Sequence, residues 1–235
     1  MLSKESQYQN IEYCSSVKLS PNRSFFETAP DGWLEALAEQ KGLNTNADLE
    51  LILPLIRDQL TTSHYAFEIG FGFGRVIEWI RKLAPAKKIV AIDHSSKFND
   101  LVRNKFQGSV TLLNKSIESF KLNVKIDLAL WMWAGIFELD NSNKFSAFRN
   151  ISDAMYENGL LVVEFPENIV GHNIEECAEK NSLIVNTEFG TLNIYRTNAL
   201  DLEDCAKKCG FDLVKDIVYS PQVGVLRRIL IFKKC

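Results

Sequence analysis

The chain has 235 residues, 46% of them hydrophobic, and a net charge of −3. That is enough for one globular unit with a sizeable core, and it gives no general attraction to nucleic acid. The five cysteines are odd in number and form no C-x-x-C pair, which argues against a disulfide framework or a zinc site and for a reducing, cytoplasmic setting. No run approaches the ~18 apolar residues of a membrane span and no apolar leader opens the sequence, so neither membrane insertion nor secretion is expected.

Residues 1–30 are polar and weakly periodic, with Tyr8, Ile11, Tyr13 and the Phe25-Phe26 pair as their only bulky anchors. They read as an arm that packs on the domain or over its site. Asp31 is placed to cap a helix over Gly32–Lys41, with Trp33, Leu34, Leu37 and Ala38 on one face and Gly42 ending it. Thr45 or Asn46 opens a helix over Ala47–Leu60, which Pro54 kinks or divides. Residues 1–46 are therefore expected to form an arm and helical cap, and 47–235 a single α/β domain.

From Tyr65 the pattern alternates strand and helix. A strand over Tyr65–Ile69 runs into a turn with glycines at 70, 72 and 74, then a helix to Leu83. A second strand, Lys88–Ile92, ends in Asp93, and Ser95 or Ser96 caps a helix with Phe98, Leu101 and Val102 inward. A third strand over Val110–Leu113 leads into the connection 114–122, and a fourth covers Ile126–Trp131. The next helix carries Phe145, Phe148, Ile151 and Met155, with caps in 140–143 and Gly159 closing it before a fifth strand, Leu160–Phe165. Short, nearly continuous apolar strands alternating with helices predict a parallel sheet covered on both faces.

The last third reads as a helix within 166–181 and a hairpin of Leu183–Asn186 and Thr191–Tyr195. A helix over Leu202–Cys209, closed by Gly210, and strands Phe211–Tyr219 and Leu226–Phe232 follow. The joint at Ser220-Pro221-Gln222 is too short for a helical crossover, so these two strands should be antiparallel. Cys205 and Cys209 share a helix face with Leu202 and read as small core residues. The Lys87-Lys88 and Arg227-Arg228 pairs read as solvated charges.

Three features fall at the C-terminal ends of successive strands, where open α/β sheets bind ligands: the E-x-G-x-G-x-G turn from Glu68, Asp93, and Ser116-Ile117-Glu118. An adenosine suits such a crevice. Asp93 can accept both ribose hydroxyls, Ile117 can lie against adenine, and Glu68 can bind or orient a cationic group. The third glycine comes one residue too early for a dinucleotide fingerprint, and the G-x-x-x-x-G-K-S/T of a phosphate loop is absent. A carboxylate just ahead of the turn suits a cationic, phosphate-free ligand.

These residues, with the antiparallel ending, resemble the class I (Rossmann-like) S-adenosylmethionine-dependent methyltransferases. The resemblance covers roughly 47–235, and its specific motifs lie within 66–118. It implies a seven-stranded, mostly parallel, doubly wound sheet of order 3-2-1-4-5-7-6 with the last strand antiparallel. S-adenosyl-L-methionine is the implied cofactor. Glu68, Gly70, Phe71, Gly72 and Gly74 would lie by its methionine part, Asp93 at the ribose with His94 beside it, and Ser116 and Ile117 at adenine. Trp131 would face the methyl group. Ser116 departs from the family, many of whose members have Asp there. The stretch 131–138 would wall the acceptor site, with Trp133, Phe137 and His172 touching substrate. His172 and Glu138 are the candidate proton acceptors, with Glu164 comparable. An Asp/Asn/Ser-Pro-Pro-aromatic motif after strand four is absent, against methylation of exocyclic base amines or glutamine amides. A small-molecule acceptor is expected. A protein or RNA acceptor, or a non-catalytic partner role, is the alternative.

Overall fold

The computed structural model describes residues 22–168, 174–176, 181–222 and 225–235. In chain order they form α1 (Arg23–Thr28), α2 (Trp33–Gln40), α3 (Ala47–Thr61), β1 (Tyr65–Ile69), α4 (Arg75–Leu83), β2 (Lys88–Asp93), α5 (Ser96–Phe106), β3 (Thr111–Asn114), β4 (Ile126–Trp131), α6 (Asn141–Ala154) and β5 (Met155–Pro166). They continue with β6 (Ile174–Glu176), β7 (Ser182–Thr187), β8 (Gly190–Tyr195), α7 (Ala199–Lys208), β9 (Phe211–Gln222) and β10 (Val225–Lys234).

Seven strands make one sheet in the order β3-β2-β1-β4-β5-β10-β9, parallel except for β10, which runs against both neighbours. This is the expected order, with β9 and β10 as its sixth and seventh strands. Period-two alternation splits each central strand between two cores. On one face Phe67, Ala129 and Trp131 pack with Phe148 and Ile151 of α6 and Leu202 of α7. On the other, Ala66, Leu128 and Leu130 pack with Ile52 and Ile56 of α3, Ile77 and Ile80 of α4 and Val102 of α5. Both faces are covered, so the strands read as nearly continuous apolar runs. Cys205 and Cys209 pack at the margin of the first core.

Several local expectations are corrected. Pro54 neither divides nor ends α3. It lies on the exposed face, as does Glu50, whose carbonyl it leaves without a helical partner. Asp31 does not cap α2. Gly32, left-handed at φ 74°, holds that position, and Asp31 pairs with Lys97 at 2.8 Å. Gly159 lies inside β5. The preceding helix already ends at Ala154, because Met155 pairs with Ile126 of β4. No helix fills 166–181 where it is described. Ile174–Glu176 pair antiparallel with β7, giving the small sheet β6-β7-β8, whose β7–β8 hairpin is the expected one.

Two charges read as solvated are buried. Lys87 is bound by Asp127 at 2.9 Å, and Arg227 by Glu164. Ser95 and Asp140 cap α5 and α6 as expected. Among the described residues no helix is long and apolar enough to cross a membrane.

The N-terminal elements are held over the carboxyl edge of the sheet from two sides. Glu27 of α1 accepts from the backbone N–H groups of Ser96 and Lys97 at 2.6 and 3.2 Å, closing the N-terminus of α5 with a charge. The Asn22 side chain both donates to and accepts from the backbone of Asn193 at 2.8 Å, extending the edge of β8. Phe25 packs edge-on against Trp33, which meets Phe189 of the β7–β8 turn.

Candidate active site

The turn after β1 is left-handed at each of its glycines. They serve different ends. A Cβ on Gly70 would meet nothing within 4 Å, so bare backbone faces open space there. A Cβ on Gly74 would lie 2.9 Å from Phe106 and 3.2 Å from Val102, so this glycine lets α4 and α5 close up. Gly74 does not line the cavity described below, and its part in the site is packing.

Asp93 is fastened to this turn. One carboxylate oxygen accepts the Gly72 N–H at 3.0 Å and the other the Ser95 N–H at 2.9 Å. Burial raises its pKa, against the pull of His94 and of those two donors. Glu68 points into the same space from β1. It is 3% exposed, and one carboxylate oxygen is buried without a partner. Burial pushes its pKa well above the usual carboxylate range. The neighbouring cation does not neutralise it by contact, because Arg75 is engaged by Asp48 at 2.8 and 2.7 Å, the Leu43 carbonyl and Asn46.

Ser116, Ile117 and Glu118 sit across the crevice, with burial raising the Glu118 carboxyl. Glu138 joins them from the turn Gly135–Glu138. It accepts from the Asn22 side chain at 3.4 Å and stands 3.9 Å from the His94 ring. Burial, abetted by the charge of Asp93, lifts its pKa to about 7, with His94 opposing.

The loop after β4 holds the least ordinary backbone in the site. Trp133 and Ala134, neither a glycine, are both left-handed at φ 57° and 65°. Each such residue costs ~1–3 kcal/mol and persists only where its surroundings impose it. Here Glu164 imposes it: its carboxylate accepts the Trp133 N–H at 2.7 Å, and its own carbonyl accepts the Ala134 N–H at 3.0 Å. Arg227 and the Tyr219 hydroxyl hold the carboxylate. Glu164 is fully buried and spent on these partners, so it is a brace and not a free base.

Together these groups line one cavity of about 340 Å³, within the usual range for small-molecule sites. Glu68, Gly70, Phe71, Gly72, Asp93, His94, Ser116, Ile117, Trp131, Trp133, Phe137 and Glu138 all border it. His172 lies outside the described residues. From Asn22 on, the arm and cap lie over the site, one of the two placements expected of them. Sequence reasoning did not name the residues of this roof, where Phe26, Trp33, Leu34 and Leu37 come from the N-terminal elements and Leu192 and Ile194 from β8. Leu34 reaches down until a Cβ on Gly72 would be 2.7 Å from it. The available signal was aromatic anchors in an otherwise polar arm. Among the described residues no cluster of three His, Cys, Asp or Glu side chains is arranged to hold a metal.

No family model matches the sequence, and no curated protein does. Solved structures do match. A S-adenosylmethionine-dependent methyltransferase from Clostridium acetobutylicum superposes with a TM-score of 0.63 at 16% identity, over 87% of this chain and 95% of the other. An amino pentose methyltransferase from Micromonospora echinaspora, involved in calicheamicin biosynthesis and solved with S-adenosylmethionine bound, gives 0.65 at 12% over 86% and 96%. Magnesium protoporphyrin IX methyltransferase from Synechocystis PCC 6803, also with that cofactor bound, gives 0.60 at 13% over 91% and 89%. With the strand order and the single reversed strand, these likenesses establish that the chain has the class I methyltransferase fold.

Proposed function

We propose that the protein is a S-adenosylmethionine-dependent methyltransferase acting on a small molecule, with 47–235 as the catalytic unit and 1–46 as its cap. The observation that carries this reading is the Asp93 carboxylate, fastened to the Gly72 amide at the rim of a cavity whose free acids are otherwise Glu68, Glu118 and Glu138. Such a site favours a cationic adenosyl ligand without phosphates. The residues fit the cofactor. Glu68 keeps an unpartnered oxygen for an ammonium group, Gly70 leaves backbone open, and Asp93 has lone pairs left for ribose hydroxyls. Ile117 and Phe98 offer apolar surface to adenine.

When bound, the cofactor supplies a methyl group on a sulfonium that is already a good leaving group. The chain need only align, dry and shape the site. Alignment of acceptor and methyl carbon is worth up to ~7–11 kcal/mol. The loop braced by Glu164 fixes Trp133, and the aromatic roof excludes water. Where the acceptor atom carries a proton, Glu138 is the cavity carboxylate whose affinity suits its removal near neutral pH.

The roof favours a small acceptor over an open groove for a polymer. The amino pentose and magnesium protoporphyrin named for two neighbours are of that size class. The thiols of Cys205, Cys209 and Cys235 are unpaired, in keeping with a cytoplasmic setting. Incubating the full chain with methyl-labelled cofactor and separate metabolite, protein and RNA fractions tests the reading. Label should enter the metabolite fraction. Label in protein or RNA alone, or in none, contradicts it.

A further inference from the structure

We infer that the acceptor is a flat, apolar ring molecule, neutral or cationic, bearing no anionic group. The inference rests on the methyltransferase reading of this cavity and narrows it to a substrate class.

The cavity lining includes Trp33 and Leu34 of α2, Leu192 and Ile194 of β8, Phe73 and Trp133. No side chain among these six carries a charge. Phe73 and Trp133 meet edge to face, with centroids 6.3 Å apart and planes at 86°. Trp133 reaches that position only because Glu164 holds its backbone left-handed, a conformation glycine or asparagine would take at less cost. Strain kept at a cavity wall points to the indole itself as the feature retained.

The nearby cations are already engaged. The Arg75 guanidinium at the cavity margin is spent on Asp48, Asn46 and a carbonyl, and Lys115 is not free. Glu118 and Glu138 face the cavity, while the unpartnered oxygen of Glu68 goes to the cofactor's ammonium group. A carboxylate or phosphate on the acceptor would meet these acids and apolar rings, and the His94 ring at the border already faces Glu138 at 3.9 Å. A polyhydroxylated acceptor would leave its hydroxyls unpaired against the same wall. Neutral rings stack there, and cations gain from the indole faces and the acids together.

Four probes separate these classes: naphthol, naphthylmethylamine, naphthoate and glucose. Each is titrated into the full chain saturated with S-adenosylhomocysteine, with melting temperature and calorimetry as readouts. Naphthol and the amine should bind, and naphthoate and glucose should bind at least tenfold more weakly. Trp133→Gly suits the left-handed backbone. It should lower naphthol affinity at least tenfold in a protein that still binds S-adenosylhomocysteine. Naphthoate or glucose binding as tightly as naphthol overturns the inference, as does naphthol binding untouched by Trp133→Gly or no probe binding the loaded protein. Failure of S-adenosylhomocysteine itself to bind overturns the cofactor reading beneath it, which is a separate result.

Discussion

The Trp133 amide donates to the Glu164 carboxylate across 2.7 Å, and so ties the strained loop after β4 to a buried ion pair with Arg227. Removing the charge of Glu164 breaks the ion pair and leaves the Trp133 amide at most a neutral acceptor. Glu164→Gln keeps the shape but leaves Arg227, 3% exposed, without its counter-ion. Stability should fall by about 3–5 kcal/mol, the usual cost of orphaning a buried charge. Urea denaturation of the variant and the parent measures it. A change below 1 kcal/mol contradicts the role given to the pair.

Asp93 should matter to affinity more than to folding. Its two oxygens already hold the Gly72 and Ser95 amides, and their remaining lone pairs face the cavity. Charge-assisted hydrogen bonds are worth ~1.5–3 kcal/mol each. Asp93→Asn should therefore weaken S-adenosylhomocysteine at least tenfold by calorimetry. Unchanged affinity would remove Asp93 from the cofactor site.

Two glycines of one turn should fail differently. Gly70→Ala places a methyl group in open space at φ 67°, and Gly74→Ala drives one into Phe106 at φ 82°. Both pay ~1–2 kcal/mol for the left-handed backbone. Only Gly74→Ala should add a packing loss, seen as the lower melting temperature of the two. Only Gly70→Ala should lose cofactor affinity beyond twofold in protein that remains folded. The reverse pattern would exchange the roles assigned to them.

Glu138 makes stability depend on pH in a defined direction. Burial raises its folded pKa from 4.5 to about 7, so the protonated form favours folding. That contribution is full below about 4.5 and is lost as pH rises through about 7. Its size is on the order of 3 kcal/mol. Glu68, Asp93 and Glu118 are raised too and add slopes of the same sign. Glu138→Gln should remove part of the decline between pH 5 and 8 in urea titrations. An identical slope in both proteins contradicts the assignment.

The sheet and the glycine turn were legible because they are local. Ile126–Trp131 is an apolar run broken only by Asp127 and forms β4 at those bounds, and the Gly70–Gly74 spacing fixes a turn whatever surrounds it. Distant partners were not legible. Lys87 and Arg227 look like surface charges until Asp127 and Glu164, 40 and 63 residues away, come opposite them. Both acids interrupt apolar strands, a hint that each needs a buried cation. The roof was legible in place but not in detail. An arm over the site was expected, while the contacts that seat Phe26 and Trp33 there, among them Asn22 on Asn193 and Glu27 on α5, join residues distant in sequence. The two left-handed residues at 133 and 134 carry no glycine signal, since tertiary contacts alone hold them.

On this reading the cavity takes a cationic adenosyl ligand without phosphates. Melting the full chain with S-adenosylhomocysteine or with NADH tests it most directly. At a hundredfold excess over Kd a ligand adds about 2.7 kcal/mol to stability, which raises the melting temperature by ~5–10 °C in a chain of this size. The account predicts that rise with S-adenosylhomocysteine and none with NADH. A rise with NADH alone, or with neither, would contradict it.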